Sequence, residues 1–523
     1  MFPMRLSKLI EVLDVVELRV NDPEHEIAFI TEDSRKCASD ALFVAYRGTK
    51  LDGHDFIADA LKRGAGAIVC EAGLAVIDPD DRIPNIVRVT NGRYALAALA
   101  AKHAGDPSRQ LRLIGVTGTN GKTTIVSILT AILRSAGIKA LALTTVGTYD
   151  GCNYLNESDL TTPDPVFLQE RFKRALREGI SHIALEVSSH ALAQHRIART
   201  RFLAGAFTNL TEDHLDFHGD MKSYEDAKAI FFKEYMVDPS KQFVVINKDD
   251  PVGRKFAAIT GAQVLTCSLH DDSADVYAGN RELTPFGSRF ELLLNVSKLS
   301  QVSSAWFPQT SRAALKVVSG LPGAFNVSNV AIAAGLACGL GVPEGPMLEA
   351  IAAFNGVPGR MEKIEEGQDF SVIVDYAHTP DALRNVLDTL NQLRQQTGRL
   401  ILVTGNGGDR DMDKRPLCGE IGARFSDRLI LTNDNPRTED PQQIINDIVK
   451  GVPADRMSIL DVVPDRREAI RRAISEAKEG DCVLIAGKGH EDYQVFGSEK
   501  RHFDDRREAR EAIREKLGAK PRS

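Results

Sequence analysis

The stretch GVTGTNGKTTIVSILTAIL, residues 115–133, joins a strand-like run to a glycine-rich turn and an amphipathic helix. Gly118 and Gly121 let the backbone curl until several N–H groups and a helix N-terminus face one anion. Lys122 adds a point charge, and Thr123 can offer its hydroxyl to Mg2+. With Thr119, Asn120 and Thr124 they spell T-G-T-x-G-K-T-T, a variant phosphate loop, because Val116 stands where the strict spacing wants glycine. A plain turn has no use for a lysine and paired threonines. Glu186 closes the run HIALE. A carboxylate at a strand end beside nucleotide phosphates suits Mg2+, which favours oxygen and shares phosphate oxygens. By itself His214 in TEDHLDFHGDM reads as a hydrogen-bonded loop histidine, and Lys228 in YEDAKAIFF as a solvated helix lysine. DNPRTEDP, 434–441, poses a different question. Asp434, Asn435 and Pro436 are turn chemistry and the charges read as a solvated cluster, yet a turn needs no Arg437.

Strands must carry these residues. From 111 to about 357, LRLIGVTG, KALALTT, HIALEVS, LAGAFTN and QFVVIN each precede a loop and a helical pattern. That alternation predicts a parallel, doubly wound sheet whose strand ends converge on the phosphate loop. Earlier, ALFVAY, AIVC and NIVRVT alternate with helical stretches and stop at GDPS; after FNGVPGR the pattern restarts with FSVIVDYAH, RLILVTGN, RLILTND and DCVLIAGKG. The expected fold is α/β in three domains: a small α/β domain (1–108), a central P-loop-type, mostly parallel sheet (109–357) and a Rossmann-like α/β domain (358–523). Residues 270–318 read as irregular or antiparallel. A chain of 523 residues is too long for one ordinary domain, and 43% hydrophobic with 26% charged residues is a soluble globular composition. The net charge of -7 gives no global attraction to nucleic acid or anionic membrane. No signal-peptide core or bilayer-length apolar run stands out, so cytoplasmic residence is expected. The seven cysteines form no C-x-x-C and read as small core residues.

TGTNGKTT, LEVSSHAL, TNLTEDHLDFHGDMKSYEDAK, PGAFNVSN, GRME, VDYAHTPDAL, GNGGDRDMDKRP, DNPRTEDP and AGKGHEDYQ follow one another along the chain. In that order they resemble the Mur ligases of peptidoglycan synthesis, and among them those that add meso-diaminopimelate to a UDP-N-acetylmuramoyl dipeptide. The resemblance implies an ATP-dependent ligase that phosphorylates the D-glutamate γ-carboxylate and lets an amine attack the acyl phosphate. It implies that Lys122 and the loop amides hold phosphate, that Thr123, Glu186 and His214 lie at magnesium sites, and that CO2 converts Lys228 to a carbamate. Asn326, Arg360 and Asp375 become ATP contacts, where a hinge arginine and a helix-capping aspartate are the bland alternatives. Ser34, Thr161, Thr162, Ser188, Gln194 and Arg196 fall to the UDP-linked substrate, with the Arg47–Lys50 turn near its uridine. Arg410, Asp434, Asn435, Pro436, Arg437, Gly487 and Glu491 fall to diaminopimelate. That amino acid differs from L-lysine by one distal carboxylate, which a planar guanidinium such as Arg437 can grip twice; Glu491 can accept from the distal ammonium. The partners implied are small molecules acting on a single chain, with no nucleic acid and no membrane insertion. Ligases adding L-lysine or D-Ala-D-Ala, and folylpolyglutamate synthases, share the phosphate loop. A P-loop switch acting on a protein would leave TTPDP, DNPRTED and GKGHEDY unexplained.

Overall fold

The computed structural model describes residues 3–49, 51–72, 85–155, 160–284, 287–302, 311–394 and 398–518. Lys50, and residues 285–286 and 303–310 of the 270–318 stretch, lie outside them. The chain forms two compact units. One comprises Met1–Gly115, Ile138–Gly205 and Ala227–Gln242; the other comprises Val116–Gly137, Ala206–Asp226 and Phe243–Ser523.

In the first unit, strands Phe29–Thr31, Ala41–Ala45, Ala65–Glu71 and Asn85–Val89 lie parallel in sequence order. Val15–Val20 adds an antiparallel edge that the sequence reading left out; Val16, Leu18 and Val20 alternate with Glu17 and Arg19, but the strand is almost wholly exposed. Asn91 caps the helix Gly92–Ala104 by accepting from the Tyr94 amide, and Gly105 ends it at φ 88°. Leu96 and Leu99 of this helix bury against Leu42, Val44 and Val87. Further along, Ala140–Thr144 pairs in parallel with His182–Glu186. The run KALALTT is followed by the antiparallel strand Gly147–Tyr149, not by the expected helix. Asp164 caps, and Pro165 opens, the helix Pro165–Arg177.

In the second unit, Phe243–Asn247, Gln263–Ser268 and Val276–Thr284 pair in parallel, and Gly287–Asn295 and Arg312–Ser319 continue antiparallel. A separate six-stranded sheet runs in the order Glu362–Lys363, Ser371–Asp375, Cys482–Ala486, Leu400–Thr404, Arg428–Leu431, Leu460–Val462, parallel except at its first pair. Alternate residues feed two cores. Val372, Val374, Ile401, Val403 and Ile485 pack with Ile470 and Ile513, whereas Leu400, Leu402 and Leu484 pack with Leu387, Ile421 and Ile448. Helices on both faces explain why these strands read as unbroken apolar runs. Six cysteines are buried; Cys152 is exposed, which corrects its assignment to the core. Among the described residues no helix is long and apolar enough to cross a membrane.

Candidate functional site

The strand Arg112–Thr117 leads into the glycine turn, and the helix Lys122–Ser135 starts at the lysine. Gly118 has φ 144°, and a Cβ there would lie 1.8 Å from Thr208 Oγ1; at Gly121, φ 91°, it would lie 2.4 Å from Asn329 Oδ1. Only glycine fits at either position. The Thr119 amide donates to Asn209 O (2.8 Å) and the Asn120 amide to Asn209 Oδ1 (2.9 Å). Both amides thus hold Asn209 in this structure, at the turn that leads into the helix N-terminus. Lys122 Nζ donates to the carbonyls of Gly118 (3.0 Å) and Thr119 (2.8 Å). Thr123 and Thr124 are buried in the first turn.

A cavity of about 280 Å³ opens beside Asn120, Gly121 and Thr124, and Asn326, Arg360 and Asp375 line it too. Asn326 is fixed by Pro322 O (2.8 Å) and Asn329 Nδ2 (3.2 Å). The Arg360 guanidinium stacks 4.5 Å over the Tyr376 ring, and its Nε is buried with no hydrogen-bond partner among the described residues. Asp375 accepts from the amides of Met361 (2.6 Å) and Ala377 (2.7 Å). Burial pushes its carboxyl above the usual range, against the pull of Arg360 and those amides. It is not a helix cap, since Thr379 caps Pro380–Leu393. Sequence reasoning missed Asp381, whose Oδ2 accepts from Asn120 Nδ2 at 3.1 Å and so ties this helix to the phosphate loop.

His214 sits at φ 57° at the start of Leu215–His218, with Nε2 3.3 Å from Asp213 Oδ2. Burial works to raise the Asp213 carboxyl, but His214, His378, Lys414 and Lys122 together hold it below its ordinary value. Asp213, one acid among several in TEDHLDFHGD, carried no signal of its own. Lys228, on the helix Met221–Ile230, is 1% exposed, so the solvated reading of this lysine fails. Among the described residues, no three His, Cys, Asp or Glu side chains gather as a metal-binding group.

In the first unit, the Thr162 hydroxyl donates to Glu186 O (2.7 Å) and accepts from the Ser188 amide (3.0 Å). Arg196 Nη1 donates to Thr162 O (2.9 Å), while its Nε and Nη2 hold Gln194 Oε1 at 3.1 and 2.7 Å. Thr161 Oγ1 accepts from Thr145 Oγ1 (3.1 Å), and the Thr145 amide donates to Glu186 Oε1 (2.9 Å). Ser188 does cap Ser189–Ala193, so its capping role and its place in this cluster coexist. The sequence did not announce a second ring of charge here. The Tyr46 hydroxyl donates to Glu32, and Arg93 stacks 4.8 Å over the Tyr46 ring. Burial raises the Glu32 carboxyl, eased by Tyr46, with Arg93 and Arg196 also lowering it. Ser34 is buried beside it in sequence, on the 3-10 turn Ser34–Lys36.

At the carboxyl ends of the six-stranded sheet, Arg437 occupies φ 55°, with Nη1 donating to Gly408 O (2.6 Å). Arg410 is exposed, and Asp434, Asn435 and Pro436 are buried. Gly487 has φ 116°, and a Cβ on it would come within 2.8 Å of Asp434 Oδ2. Asn435 Nδ2 donates to Glu491 Oε2 (2.8 Å). Burial and neighbouring Asp434 raise the Glu491 carboxyl, with Lys488 and Asn435 pulling the other way. Arg415, fully buried, holds both Glu439 oxygens (2.9 and 2.8 Å) and Asp447 (3.1 Å), locking the GGDRD loop to DNPRTED.

The chain belongs to the Mur ligase family. Matching along it in order are the Mur ligase family catalytic domain (26–104), the Mur ligase middle domain (116–337) and the Mur ligase glutamate ligase domain (359–489). A UDP-N-acetylmuramoyl-L-alanyl-D-glutamate 2,6-diaminopimelate ligase from Geobacillus kaustophilus (strain HTA426) is 42% identical over 494 residues, covering 94% of this chain and 96% of its own. A Gloeobacter violaceus protein of the same name is 42% identical over 502 residues, covering 94% and 95%. A solved structure of a ligase of that name superposes with TM-score 0.63 at 31% identity, covering 99% of this chain and all of its own.

Proposed function

We propose that this chain is the ATP-dependent ligase that joins meso-2,6-diaminopimelate to the D-glutamate γ-carboxyl of UDP-N-acetylmuramoyl-L-alanyl-D-glutamate. A carboxylate oxygen attacks the γ-phosphorus and ADP leaves; the amine then attacks the acyl carbon, phosphate leaves and the amine proton is lost. The observation that carries this reading lies in the second unit. It holds both a phosphate loop and, at the carboxyl ends of the six-stranded sheet, a cluster with separate cationic (Arg437) and anionic (Asp434, Glu491) groups, as a zwitterionic diamino acid requires. We assign residues 1–108 to the uridine end of the substrate, 109–357 to ATP and 358–523 to the amino acid.

In this reading Lys122 turns from the Gly118 and Thr119 carbonyls to a phosphate, and the unpartnered Arg360 Nε supplies a further donor. Thr162, Ser188, Gln194 and Arg196 orient the dipeptide carboxylate. In the second unit the Thr123 hydroxyl and the His214 imidazole, and in the first unit the Glu186 carboxylate, are each groups that suit Mg2+; such an ion keeps waters and shares phosphate oxygens, so no three-residue cage is needed. Bound there, Mg2+ would offset the charge of the transferring phosphoryl group. A buried ammonium is costly, and a carbamate on Lys228 would turn it into an anion able to orient water or metal. Lys228→Ala is expected to lose most activity and to regain part of it with added short carboxylates; full activity without them refutes the carbamate. The whole reading is tested by ADP release from purified protein with ATP, the UDP-linked dipeptide and meso-diaminopimelate, L-lysine or D-Ala-D-Ala in parallel. Release should require the dipeptide and meso-diaminopimelate together. Equal turnover of L-lysine, or hydrolysis without either substrate, overturns it.

A further inference from the structure

The cluster around Asn435 and Glu491 contains a cation that the reaction as derived above does not use. Lys488 is completely buried. Its ammonium donates to Asn435 Oδ1 (3.3 Å) and Glu491 Oε2 (3.2 Å), while Asn435 Nδ2 donates to the same Glu491 oxygen (2.8 Å), closing a triangle. The Tyr493 ring centre lies 5.5 Å from the ammonium. An ammonium is costly to take out of water even when paired, and an apolar side chain of the same length would fill the space without that cost. The expense answers to what surrounds it. Asp434 lies close enough to Glu491 to raise its carboxyl, and Lys488 offsets one of these two negative charges. The triangle also uses Glu491 Oε2 alone. Oε1 accepts no hydrogen bond among the described residues, on a side chain that is still 16% exposed.

We propose that Lys488 is a positioning residue for the diamino acid: it fixes Asn435 and Glu491 so that Glu491 Oε1 faces the substrate ammonium, and it offsets one of the two carboxylate charges of Asp434 and Glu491. This rests on the reading that this cluster takes meso-diaminopimelate. The test is steady-state ADP release by full-length parent and Lys488→Met, each substrate varied in turn. Losing a charged hydrogen-bond network should raise KM for meso-diaminopimelate about tenfold or more, with KM for ATP and for the UDP-linked dipeptide within about twofold of the parent's and kcat within about threefold. In Lys488→Ala, n-propylammonium should restore that KM and n-propanol should not. Should Lys488→Met fail to fold, Lys488→Gln, which keeps a donor but no charge, is expected to show the same selective rise at smaller size. An unchanged KM for meso-diaminopimelate, all three KM values rising together, or rescue by the alcohol as well as the amine overturns the proposal. A parent that releases ADP with another amino acid but not with meso-diaminopimelate overturns the substrate reading and this proposal with it. A negative Lys488 result in an active parent leaves the substrate reading standing.

Discussion

Removing the Arg437 guanidinium should cost the enzyme its preference for a second carboxylate and little else. Among the described residues Arg437 makes no ion pair; Nη1 is held by Gly408 O at 2.6 Å, and the rest of the planar group is left for a ligand. A hydrogen bond to a charged partner contributes about 1.5–3 kcal/mol, and about 1.4 kcal/mol is a factor of ten, so Arg437→Met should raise KM for meso-diaminopimelate about 10- to 150-fold. L-Lysine has no distal carboxylate and should be turned over as poorly as before. A second perturbation leaves the charge in place and moves it. A Cβ on Gly407 would lie 2.8 Å from Arg437 Nη1, closer than side chains tolerate, so Gly407→Ala must push the guanidinium aside. A KM rise of about tenfold or less is expected there, because the displaced group still attracts an anion at longer range. Both variants are read by ADP release with the two amino acids varied separately. Equal losses for L-lysine and meso-diaminopimelate, or no loss for either, would refute the assignment. A raised KM for ATP in Arg437→Met would show that the residue acts through the fold instead.

Gly118→Ala should abolish ATP-dependent turnover, because its Cβ would strike Thr208 Oγ1 at 1.8 Å in a backbone conformation that alanine rarely adopts; a variant with parental KM for ATP would contradict this. Thr162→Val keeps the shape but removes the acceptor of the Ser188 amide and the hydroxyl donor to the Glu186 carbonyl, and should lower stability by about 1–3 kcal/mol, measured as a drop in urea midpoint. Burial lowers the His182 pKa to about 4, so the unfolded chain binds more protons than the folded one between that value and the ordinary imidazole range. The stability contributed is full above that range and is lost as pH falls towards 4, so His182→Asn should flatten the decline of the urea midpoint between about pH 6.5 and 4.

The elements that carry the site were legible where one residue type has one physical use. Gly118 and Gly121 had to be glycine, and Glu186 and Asp375 fall at strand ends, where an α/β sheet gathers ligands. Groups whose meaning lies in a distant partner were not legible. Lys488 is one of many lysines until Asn435, 53 positions away, is seen beside it. Asp381 looks like a helix-start acid until Asn120, 261 positions away, donates to it. The edge strand Val15–Val20 was passed over for a different reason: its alternation of Val16, Leu18 and Val20 with Glu17 and Arg19 is short and sits on an almost wholly exposed strand.

The acids around Arg437 show how the loop keeps that arginine available. A short segment with three carboxylates should neutralise its own guanidinium, and each is drawn elsewhere. Asp440 accepts from the Gln442 amide and caps Pro441–Val449; Glu439 is gripped by buried Arg415; Asp434 is buried with Oδ2 close against Gly487. Backbone geometry completes the arrangement. Arg437 is held at φ 55° because its amide donates to Val495 O (3.0 Å) and its carbonyl accepts from Gly497 N (2.6 Å). A left-handed residue other than glycine costs about 1–2 kcal/mol, and the two flanking bonds offset it. Glycine would be the cheaper residue for this turn and would recognise nothing, so the strain is best understood as the cost of carrying a guanidinium at that point.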